Sequence, residues 1–597
     1  MNDFELDKLT LTKINNYIEK KDPLSDSFEK LKVSFLRNIT LDSVKPYIKF
    51  FCLQNSINLD VEMGNFDNVF QDSINLDSKL YSNSPDIIIV CLNISSLSSR
   101  LSIGFSELTL KEINDEVIRL EKFLNDILSN LRKSSQASIL INNFETPVYP
   151  SYGILDSQSQ NKQINTFRKI NLKLLDLTSN YANTYLVDFD KLQSQIGYED
   201  FFDLRFWHIA KAPYSRKATK VIANEYFKYI KALRGRSKKC LVLDCDNTLW
   251  GGVIGEDGIN NIAIGNSYPG SAYLEFQNAI LSLYRRGIIL ALCTKNNEED
   301  VFSVLNNHPE MILKKKHFSV IKANWENKAK NIQEISNELN IGLDSLVFLD
   351  DSEFEINLVR KLLPNVQSIL VPDDATNFLT LLNKASPFDS LNFSDEDLQR
   401  NQMYLDDKNR HSLAKKLKDS SIEDYLKSLE MEVSIKDCEH FTFSRISQLT
   451  LKTNQFNLTT KRYSESHIRD FCNAKEFSVR YLKVNDKFGD IGIVGLAISR
   501  IESNKLIIDS LLLSCRALGR GIENLLLKDC FNIAKLHKCD KVIGIYSRTE
   551  KNKQVENFYK NSKFSLIKNL NESFEFECYI DNFLLDNDDY FKSVTYE

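Results

Sequence analysis

Two aspartates in the middle of the chain have the spacing of a phosphoryl-transfer site. Asp244 and Asp246 follow the apolar run of residues 240–243, which is long enough to form a buried strand. Side chains two positions apart leave a strand on the same face. Doubly wound α/β folds keep their sites at the carboxyl ends of the strands, so we expect both carboxylates to face one site there.

Three further polar elements follow in an order that suits the same site. Thr294 comes after the apolar run 288–293, Lys328 lies in a helical pattern at residues 322–340, and an aspartate pair ends the run 345–349. Phosphoryl transfer needs a carboxylate nucleophile, an acid–base group, oxygen ligands for a hard cation and positive charge over the phosphate oxygens. The four elements together supply all of these groups.

Each residue type indicates a role in that chemistry. We assign Asp244 as nucleophile and Mg²⁺ ligand, and Asp246 as the general acid–base, which also offers its backbone carbonyl to the metal. Lys328 would also moderate the repulsion between the carboxylates. Asp350, with Asp351 beside it, would complete the magnesium coordination. Thr294 and Lys328 would bind the phosphate.

The order of these motifs resembles the haloacid-dehalogenase (HAD) superfamily, and residues 244–258 resemble its FkbH-like branch, which is similar to this chain over nearly its whole length. The resemblance implies an enzyme that takes a small acyl phosphate, 1,3-bisphosphoglycerate. It would pass the glyceryl group to the phosphopantetheine thiol of an acyl carrier protein, as in polyketide-type biosynthesis. Three alternatives remain open: a phosphatase acting on a small or protein-tethered phosphoester, a coenzyme A-dependent acyltransferase, and a catalytically inactive scaffold that docks carrier proteins.

The spacing of the motifs also bears on substrate size. The intervals between Thr248 and Thr294, and between Thr294 and Lys328, are filled by the expected flap, helices and strands. They leave no room for a lid domain. An open site of this kind suits a substrate tethered to a protein.

Cys245 lies between the two aspartates and has two possible roles. The resemblance implies that a cysteine carries the acyl group as a thioester, which favours Cys245 as a catalytic thiol. Strand alternation turns it away from its neighbours, which favours a small packed side chain. If Cys245 does not carry the group, Cys293 is the next candidate by position.

The last part of the chain contains a strand, a glycine-containing turn and a helix. Backbone N–H groups at such a helix start bind phosphates, and the turn residues are Arg516, Gly519, Arg520 and Gly521. With the later strand 541–547 and the segment 551–564, this order resembles the GCN5-related N-acetyltransferase (GNAT) fold.

That second resemblance implies a site for a pantetheine-bearing cofactor. Asn552 and Tyr559 would lie near its thiol, with Tyr559 as a general acid. The ligand would be the phosphopantetheine arm of a carrier protein, or coenzyme A.

A polar segment, residues 445–464, precedes this region. Its amides, Asn454, Gln455 and Asn457, need hydrogen-bond partners if they are buried. We expect a substrate-arm or interdomain clamp; a hydrogen-bonded structural loop is the alternative.

The first region alternates apolar runs at 31–39, 48–54, 85–95, 137–144 and 184–189 with amphipathic stretches such as 113–133, which predicts a parallel sheet with crossover helices. It resembles the SGNH hydrolases, with Asp203 and His208 spaced like their base pair. No serine motif follows the first run, so we expect a non-hydrolytic domain in which His208 is packed and hydrogen-bonded.

The length of 597 residues requires several domains. The predicted class is α/β with an SGNH-like domain at 1–235, a capless HAD domain at 236–385, a helical connector at 386–428 and a GNAT-like mixed α/β domain at 429–597. A formal charge of −5 argues against nucleic-acid binding, and the basic stretch 216–239 is read as solvated helix and linker.

Eleven cysteines without a CxxC pair, no apolar leader at residues 1–10 and no long apolar window indicate a reduced, cytoplasmic protein without structural zinc or membrane contact.

Overall fold

The computed structural model describes residues 10–21, 28–393, 395–416, 421–549, 551–570, 572–583 and 589–597. The expected absence of a leader concerns residues that lie mostly outside these ranges. The chain divides into two compact units, the first ending at Ile230 and the second running from Lys231 to Glu597. The finer domain boundaries given above stay predictions.

The first unit contains a five-stranded parallel sheet in the order β2-β1-β3-β4-β5. Its strands are β1 Glu29–Arg37, β2 Ile57–Phe66, β3 Ile87–Cys91, β4 Ser138–Asn142 and β5 Thr184–Val187. The apolar run 48–54, which looked like a strand, lies in the helix Val44–Gln54. This helix is buried on two faces, which accounts for its continuous apolar stretch. The strand next to β1 is instead β2, in which buried and more exposed residues alternate.

Helices cover both faces of this sheet. The stretch 113–133 forms part of the helix Leu110–Ser134, which begins with a capping box between Thr109 and Glu112. The helices among the described residues of the first unit, the last of which continues to Leu233, are Leu11–Lys21, Val44–Gln54, Val69–Ile74, Lys79–Ser82, Ile94–Leu97, Ser99–Ser102, Leu110–Ser134, Gln163–Ser179, Phe189–Ile196, Tyr198–Phe201, Leu204–Ala210 and Arg216–Leu233.

The second unit begins with another parallel sheet, in the order β10-β9-β6-β7-β8. Its strands are β6 Cys240–Leu243, β7 Ile289–Thr294, β8 Phe318–Ala323, β9 Leu346–Asp350 and β10 Gln367–Leu370. Alternate residues of β6 pack into separate hydrophobic clusters on the two faces, which identifies a doubly wound sheet. The sequence did not single out β8, the edge strand.

The third sheet is mixed, with the main order β17-β18-β16-β15-β14-β13-β11-β19 and β12 paired to β15. Its strands are β11 Glu432–Asp437, β12 Phe456–Asn457, β13 Phe477–Asp486, β14 Gly489–Glu502, β15 Lys505–Leu513, β16 Lys541–Ser547, β17 Ser565–Leu570, β18 Ser573–Tyr579 and β19 Ser593–Tyr596. β13, β14 and β15 form an antiparallel meander, and β15 then pairs in parallel with β16. The predicted three-sheet α/β class is confirmed.

Helices of the second unit connect these strands and the two sheets. They are Ile254–Asp257, Gly270–Arg285, Glu298–Asn307, Lys328–Glu338, Glu353–Leu362, Phe378–Ala385, Asp395–Leu398, Arg400–Lys416, Ile422–Ser428, Phe443–Lys452, Glu465–Asn473, Glu523–Leu536 and Phe558–Asn561. The predicted connector is helical at Asp395–Leu398, Arg400–Lys416 and Ile422–Ser428, whereas residues 386–393 form no helix; residues 394 and 417–420 lie outside the described ranges. Among the described helices none has both the length and the apolar character needed to cross a membrane.

Candidate active site

The carboxyl ends of three adjacent strands bring the predicted site residues together. Asp244 directly follows β6, the central strand, while Thr294 ends β7 and Asp350 ends β9 on either side of it. Lys328 is the first residue of the helix Lys328–Glu338, with Asn327 as its N-cap. Parallel strands end at one edge of a sheet, which is why residues more than a hundred positions apart converge here.

Lys328 is the electrostatic centre of this site. Its Nζ donates a 2.6 Å hydrogen bond to Oδ2 of Asp350 and lies 3.1 Å from Oδ1 of Asp244. Burial lowers the pKa of Lys328, but the two carboxylates outweigh burial and raise the pKa above its usual value. The lysine is therefore a fixed ammonium ion between two aspartates.

Three carboxylates form a group that could hold a metal. Oxygen atoms of Asp244, Asp350 and Asp351 lie within 4.8 Å of one another. Burial, followed by the charge of Asp244, raises the pKa of both Asp350 and Asp351. One lysine does not neutralise three acids, so this all-oxygen group fits a hard divalent cation such as Mg²⁺.

Asp246 is held apart from that group by its own hydrogen bonds. Its Oδ1 accepts bonds from Trp250 Nε1 at 2.9 Å and from the backbone N–H of Ile254 at 3.1 Å. Its Oδ2 accepts a 2.9 Å bond from Asn296 Nδ2. The predicted general acid–base is thus oriented by three donors, and its carboxylate is not one of the three clustered acids.

Sequence reasoning missed Trp250 and Asn296. Asn296 also donates a 3.0 Å bond to Oγ1 of Thr294, so it links the two predicted residues. Its position in the sequence could have identified Asn296, because it lies two residues after Thr294, which ends β7. Trp250 is fully buried four residues after Asp246, where its size suggested only packing.

The thiol of Cys245 is fully buried in the hydrophobic cluster that also contains Leu241 and Leu243. Burial, and then the charges of Asp244 and Asp246, raise its pKa well above the usual value. Cys293, the fallback candidate, is also buried, and its pKa is raised by the same cause. Both positions fit packed, protonated thiols better than an acyl carrier.

The interval between Thr248 and Lys328 is described throughout and contains no cap domain. After Thr248 the chain makes a short flap, in which Gly251 bridges to Ala263, and then enters the helix Gly270–Arg285. The capless architecture predicted from the spacing is confirmed. The flap and the strand-end loops therefore lie at the rim of the site, without an inserted domain between Thr248 and Lys328.

Residues 32–231 match the family model described as the FkbH N-terminal domain. A solved structure of the N-terminal part of the protein BF1531 from Bacteroides fragilis, containing a phosphatase domain complexed with Mg, is 29% identical and has a TM-score of 0.59; the match covers 64% of this chain and 100% of that one. The chain is FkbH-like.

The FkbH-like chain also matches smaller solved structures. A GNAT-family acetyltransferase from Desulfovibrio desulfuricans is 10% identical, covering 25% of this chain and 99% of that one at a TM-score of 0.21. The PaiA N-acetyltransferase from Thermoplasma acidophilum, in complex with coenzyme A, is 15% identical with coverages of 25% and 99% and a TM-score of 0.19. No curated protein matches. The phosphatase-type domain of the FkbH-like chain marks it as an enzyme.

The predicted phosphate-binding turn of the FkbH-like chain lies between β15 and the helix Glu523–Leu536. Gly519 and Gly521 have φ values of 74° and 72°, which L side chains rarely adopt. Arg520 pairs with Asp407 at 3.2 Å, and the hydroxyl of Tyr590 lies against Gly521. Arg516 contacts the sulfur of Met403. The turn has the expected backbone; other parts of the chain cover Arg520 and Gly521, whereas Gly519 is exposed.

Asn552 and Tyr559 lie inside the third sheet's core. Asn552 is fully buried, donates 2.9 Å bonds to the carbonyls of Asn457 and Ser547, and accepts one from the N–H of Thr549. Tyr559 is 1% exposed, and burial raises its pKa well above the usual value. The structure does not bring these side chains to the turn, and their cofactor roles stay predictions.

The polar segment 445–464 of the FkbH-like chain joins the third sheet to the preceding domain. Asn457 accepts a 2.8 Å bond from the N–H of Thr460, and Asn454 pairs with Arg462. Lys452 lies 3.1 Å from Asp397, and its carbonyl accepts a 3.2 Å bond from Lys239. These contacts are those expected of an interdomain clamp.

In the first unit, Asp203 caps the helix Leu204–Ala210 by accepting a bond from the N–H of Phe206, and His208 lies exposed on that helix. The expectation of a packed His208 was wrong, because this short helix buries none of its residues. Asn38 follows β1, where a hydrolase would have its serine, and it makes two bonds to the backbone of Asn93. Asn38 and Asn93 therefore lie hydrogen-bonded at the carboxyl end of β1, where a hydrolase would have its nucleophile.

Proposed function

We propose that the chain is a Mg²⁺-dependent HAD enzyme that dephosphorylates 1,3-bisphosphoglycerate and transfers the glyceryl group to the phosphopantetheine thiol of an acyl carrier protein. The observation that carries the phosphatase half is the contact of Lys328 with both Asp244 and Asp350 beside Asp351. The transfer half rests on the FkbH-like character of the chain and on the capless site.

The dephosphorylation step uses Asp244 as nucleophile. A carboxylate oxygen of Asp244 attacks phosphorus at the C3 phosphomonoester, and the bond from phosphorus to the C3 oxygen breaks. Asp246, held by Trp250 and Asn296, gives its proton to the leaving oxygen. It then takes a proton from the water that hydrolyses the aspartyl phosphate.

Lys328, Thr294 and the metal-binding acids supply the positive charge that this step requires. Asp244, Asp350 and Asp351 would hold Mg²⁺, which neutralises charge on the phosphate oxygens when bound. Lys328 is already ionised and fixed, so it requires no reorganisation as charge develops. Thr294 lies at the same strand edge.

The transfer step is chemically separate. The thiolate sulfur of the pantetheine arm forms a bond to C1 of the acyl phosphate, the bond from C1 to the phosphate oxygen breaks, and inorganic phosphate leaves. The result is a thioester, which hydrolysis by a phosphatase alone does not give. The open, capless rim suits an acyl group presented on a long arm.

Mass spectrometry of a carrier protein after incubation with enzyme, Mg²⁺ and 1,3-bisphosphoglycerate tests both halves. We expect the phosphopantetheine form of the carrier to gain one glyceryl group, and the form that lacks the arm to gain nothing. Release of free glycerate or phosphoglycerate with an unchanged carrier would assign a plain phosphatase. Replacing the carrier by coenzyme A tests the acyltransferase alternative, for which acyl coenzyme A would be the product.

A further inference from the structure

A cluster of five cations lies between the second and third sheets of the second unit, away from Asp244. Its members come from four separate segments of the chain, and we call it the boundary cluster: Lys239, Arg400, Arg445, Lys452 and Arg516. Each interacts electrostatically with at least one of the others. Lys452 interacts with Arg400, Arg445 and Lys239, and burial together with these charges holds its pKa well below the usual value.

Carboxylates compensate only part of this charge. Arg445 lies 2.7 Å from Glu396, while Asp397 pairs with Lys452 at 3.1 Å and with Arg400. The described residues provide no third carboxylate within ion-pair distance of the boundary cluster. Grouping five cations with two anions in partly buried surroundings is unfavourable unless a further anion joins them.

A buried amide points to where that anion binds. Gln448 is 6% exposed, and neither its Nε2 nor its Oε1 has a hydrogen-bond partner among the described residues. It lies on the helix Phe443–Lys452, three residues after Arg445 and four before Lys452, so the three side chains share one helix face. An unpartnered buried amide is destabilising, and a ligand that accepts its N–H would remove that cost.

We propose that the boundary cluster, with Gln448, is a binding site for a phosphoryl group. Guanidinium groups bind phosphate oxygens through paired N–H donors, and the ammonium groups and the Gln448 amide add single donors. Five basic side chains against two carboxylates favour a diphosphate or a phosphate dianion over a carboxylate. The site adjoins the turn at Gly519 and Gly521 through Arg516, but its other members come from outside that turn, and it does not depend on the proposed function.

Cys515 provides a reporter at the edge of this site. It is half-exposed, in contrast to the eight buried cysteines, and it interacts electrostatically with Lys239 and Arg400. Reactive cysteines occupy electropositive, partly exposed surroundings, so iodoacetamide should label it readily. A phosphoryl ligand bound among these cations would slow that labelling.

The test is calorimetric titration of the full chain with inorganic pyrophosphate, without Mg²⁺, in the wild type and four variants. Lys452→Gln and Gln448→Leu should each weaken binding at least tenfold. Lys436→Gln removes a comparable charge from a half-exposed lysine paired with Glu597, and should change binding less than twofold. Asp244→Asn should also leave it unchanged, which separates this site from the phosphatase site.

Peptide mapping of iodoacetamide-treated protein shows whether pyrophosphate binds near Cys515. Pyrophosphate should slow labelling of Cys515 and leave the rate at half-exposed Cys438 unchanged. The proposal is overturned if the wild type does not bind pyrophosphate, if Lys452→Gln and Gln448→Leu bind it normally, if only Asp244→Asn loses it, or if Cys515 is not protected.

Discussion

Lys328 donates a 2.6 Å hydrogen bond to Asp350, and the same ammonium group lies 3.1 Å from Asp244. One side chain thus connects the predicted nucleophile with a predicted metal ligand from a neighbouring strand. The contact requires the helix at Lys328 to start at the edge where β6 and β9 end. Because the lysine interacts with both carboxylates, removing the charge of any one of the three side chains should disturb the site.

Replacing Asp244 by asparagine should abolish phosphate release while leaving the fold intact, because the amide keeps the shape but lacks the nucleophilic anion. Release of phosphate from p-nitrophenyl phosphate and the circular dichroism spectrum measure the two effects. The control is Asp300→Asn on the helix Glu298–Asn307, which should behave as wild type. A wild-type rate in Asp244→Asn would refute the assignment of the nucleophile.

Removal of divalent metal should stop turnover, and Mg²⁺ should restore it. Asp244, Asp350 and Asp351 offer closely spaced oxygens whose repulsion a hard cation relieves. Thermal melting provides a second readout, since Mg²⁺ should raise the melting temperature of the wild type and have a smaller effect on Asp351→Asn. Full activity in EDTA would contradict a metal role for these acids.

Asn296→Ala should slow turnover because it removes a donor that orients Asp246 and binds Thr294. We expect kcat to fall about 10-fold or more, within the range that general acid–base catalysis supplies. Asn296→Asp, which lacks the N–H donors and adds a charge beside Asp246, should be at least as severe. If both variants keep the wild-type kcat and alter only KM, Asn296 contributes to binding rather than to the orientation of Asp246.

Cys245→Ala should retain transfer and lose about 1 kcal/mol of stability, as small core truncations do. The reason is the complete burial of the thiol beneath β6. Hydroxylamine-sensitive mass adducts, measured after incubation with acyl phosphate and no acceptor, report any covalent carrier. Loss of both the adduct and transfer in Cys245→Ala would instead establish Cys245 as the carrier. If the adduct persists in this variant, the next cysteine to test is half-exposed Cys515, followed by buried Cys293.

Raising the pH from about 5 to 8 should destabilise the first unit through Glu145. Burial raises its pKa to about 7, and its Oε1 accepts a 2.8 Å bond from Tyr214. The folded state then keeps a proton that the unfolded chain releases, so stability is greatest below the ordinary carboxyl range and falls as the pH rises through about 7. The slope should be at most about 1.4 kcal/mol per pH unit.

Amide hydrogen exchange in the strand Ser138–Asn142 measures the stability of the first unit separately from that of the second. Glu145→Gln keeps the hydrogen bond to Tyr214 and removes the titration, so protection of the strand should become less dependent on pH. Asp115→Asn, an exposed site on the helix Leu110–Ser134, is the matched control. An unchanged pH profile in Glu145→Gln would show that another group is responsible.

The doubly wound HAD core and the group of acids at its edge could be predicted from the sequence alone. Strand-length apolar runs end in Asp244, Thr294 and Asp350, and strand ends are where parallel sheets place polar residues. The missing cap domain also followed from sequence, because the lengths of the intervals between motifs limit what can fold between them. These features depend on local patterns and short spacings.

The pairing of the remaining side chains, in contrast, could be seen only in the three-dimensional structure. The donors to Asp246, the burial of Cys245 and the exposure of His208 depend on which elements pack over each residue. The same holds for the boundary cluster, whose cations come from segments as far apart as Lys239 and Arg516. Contacts between residues distant in the chain are set by packing, and no local periodicity encodes them.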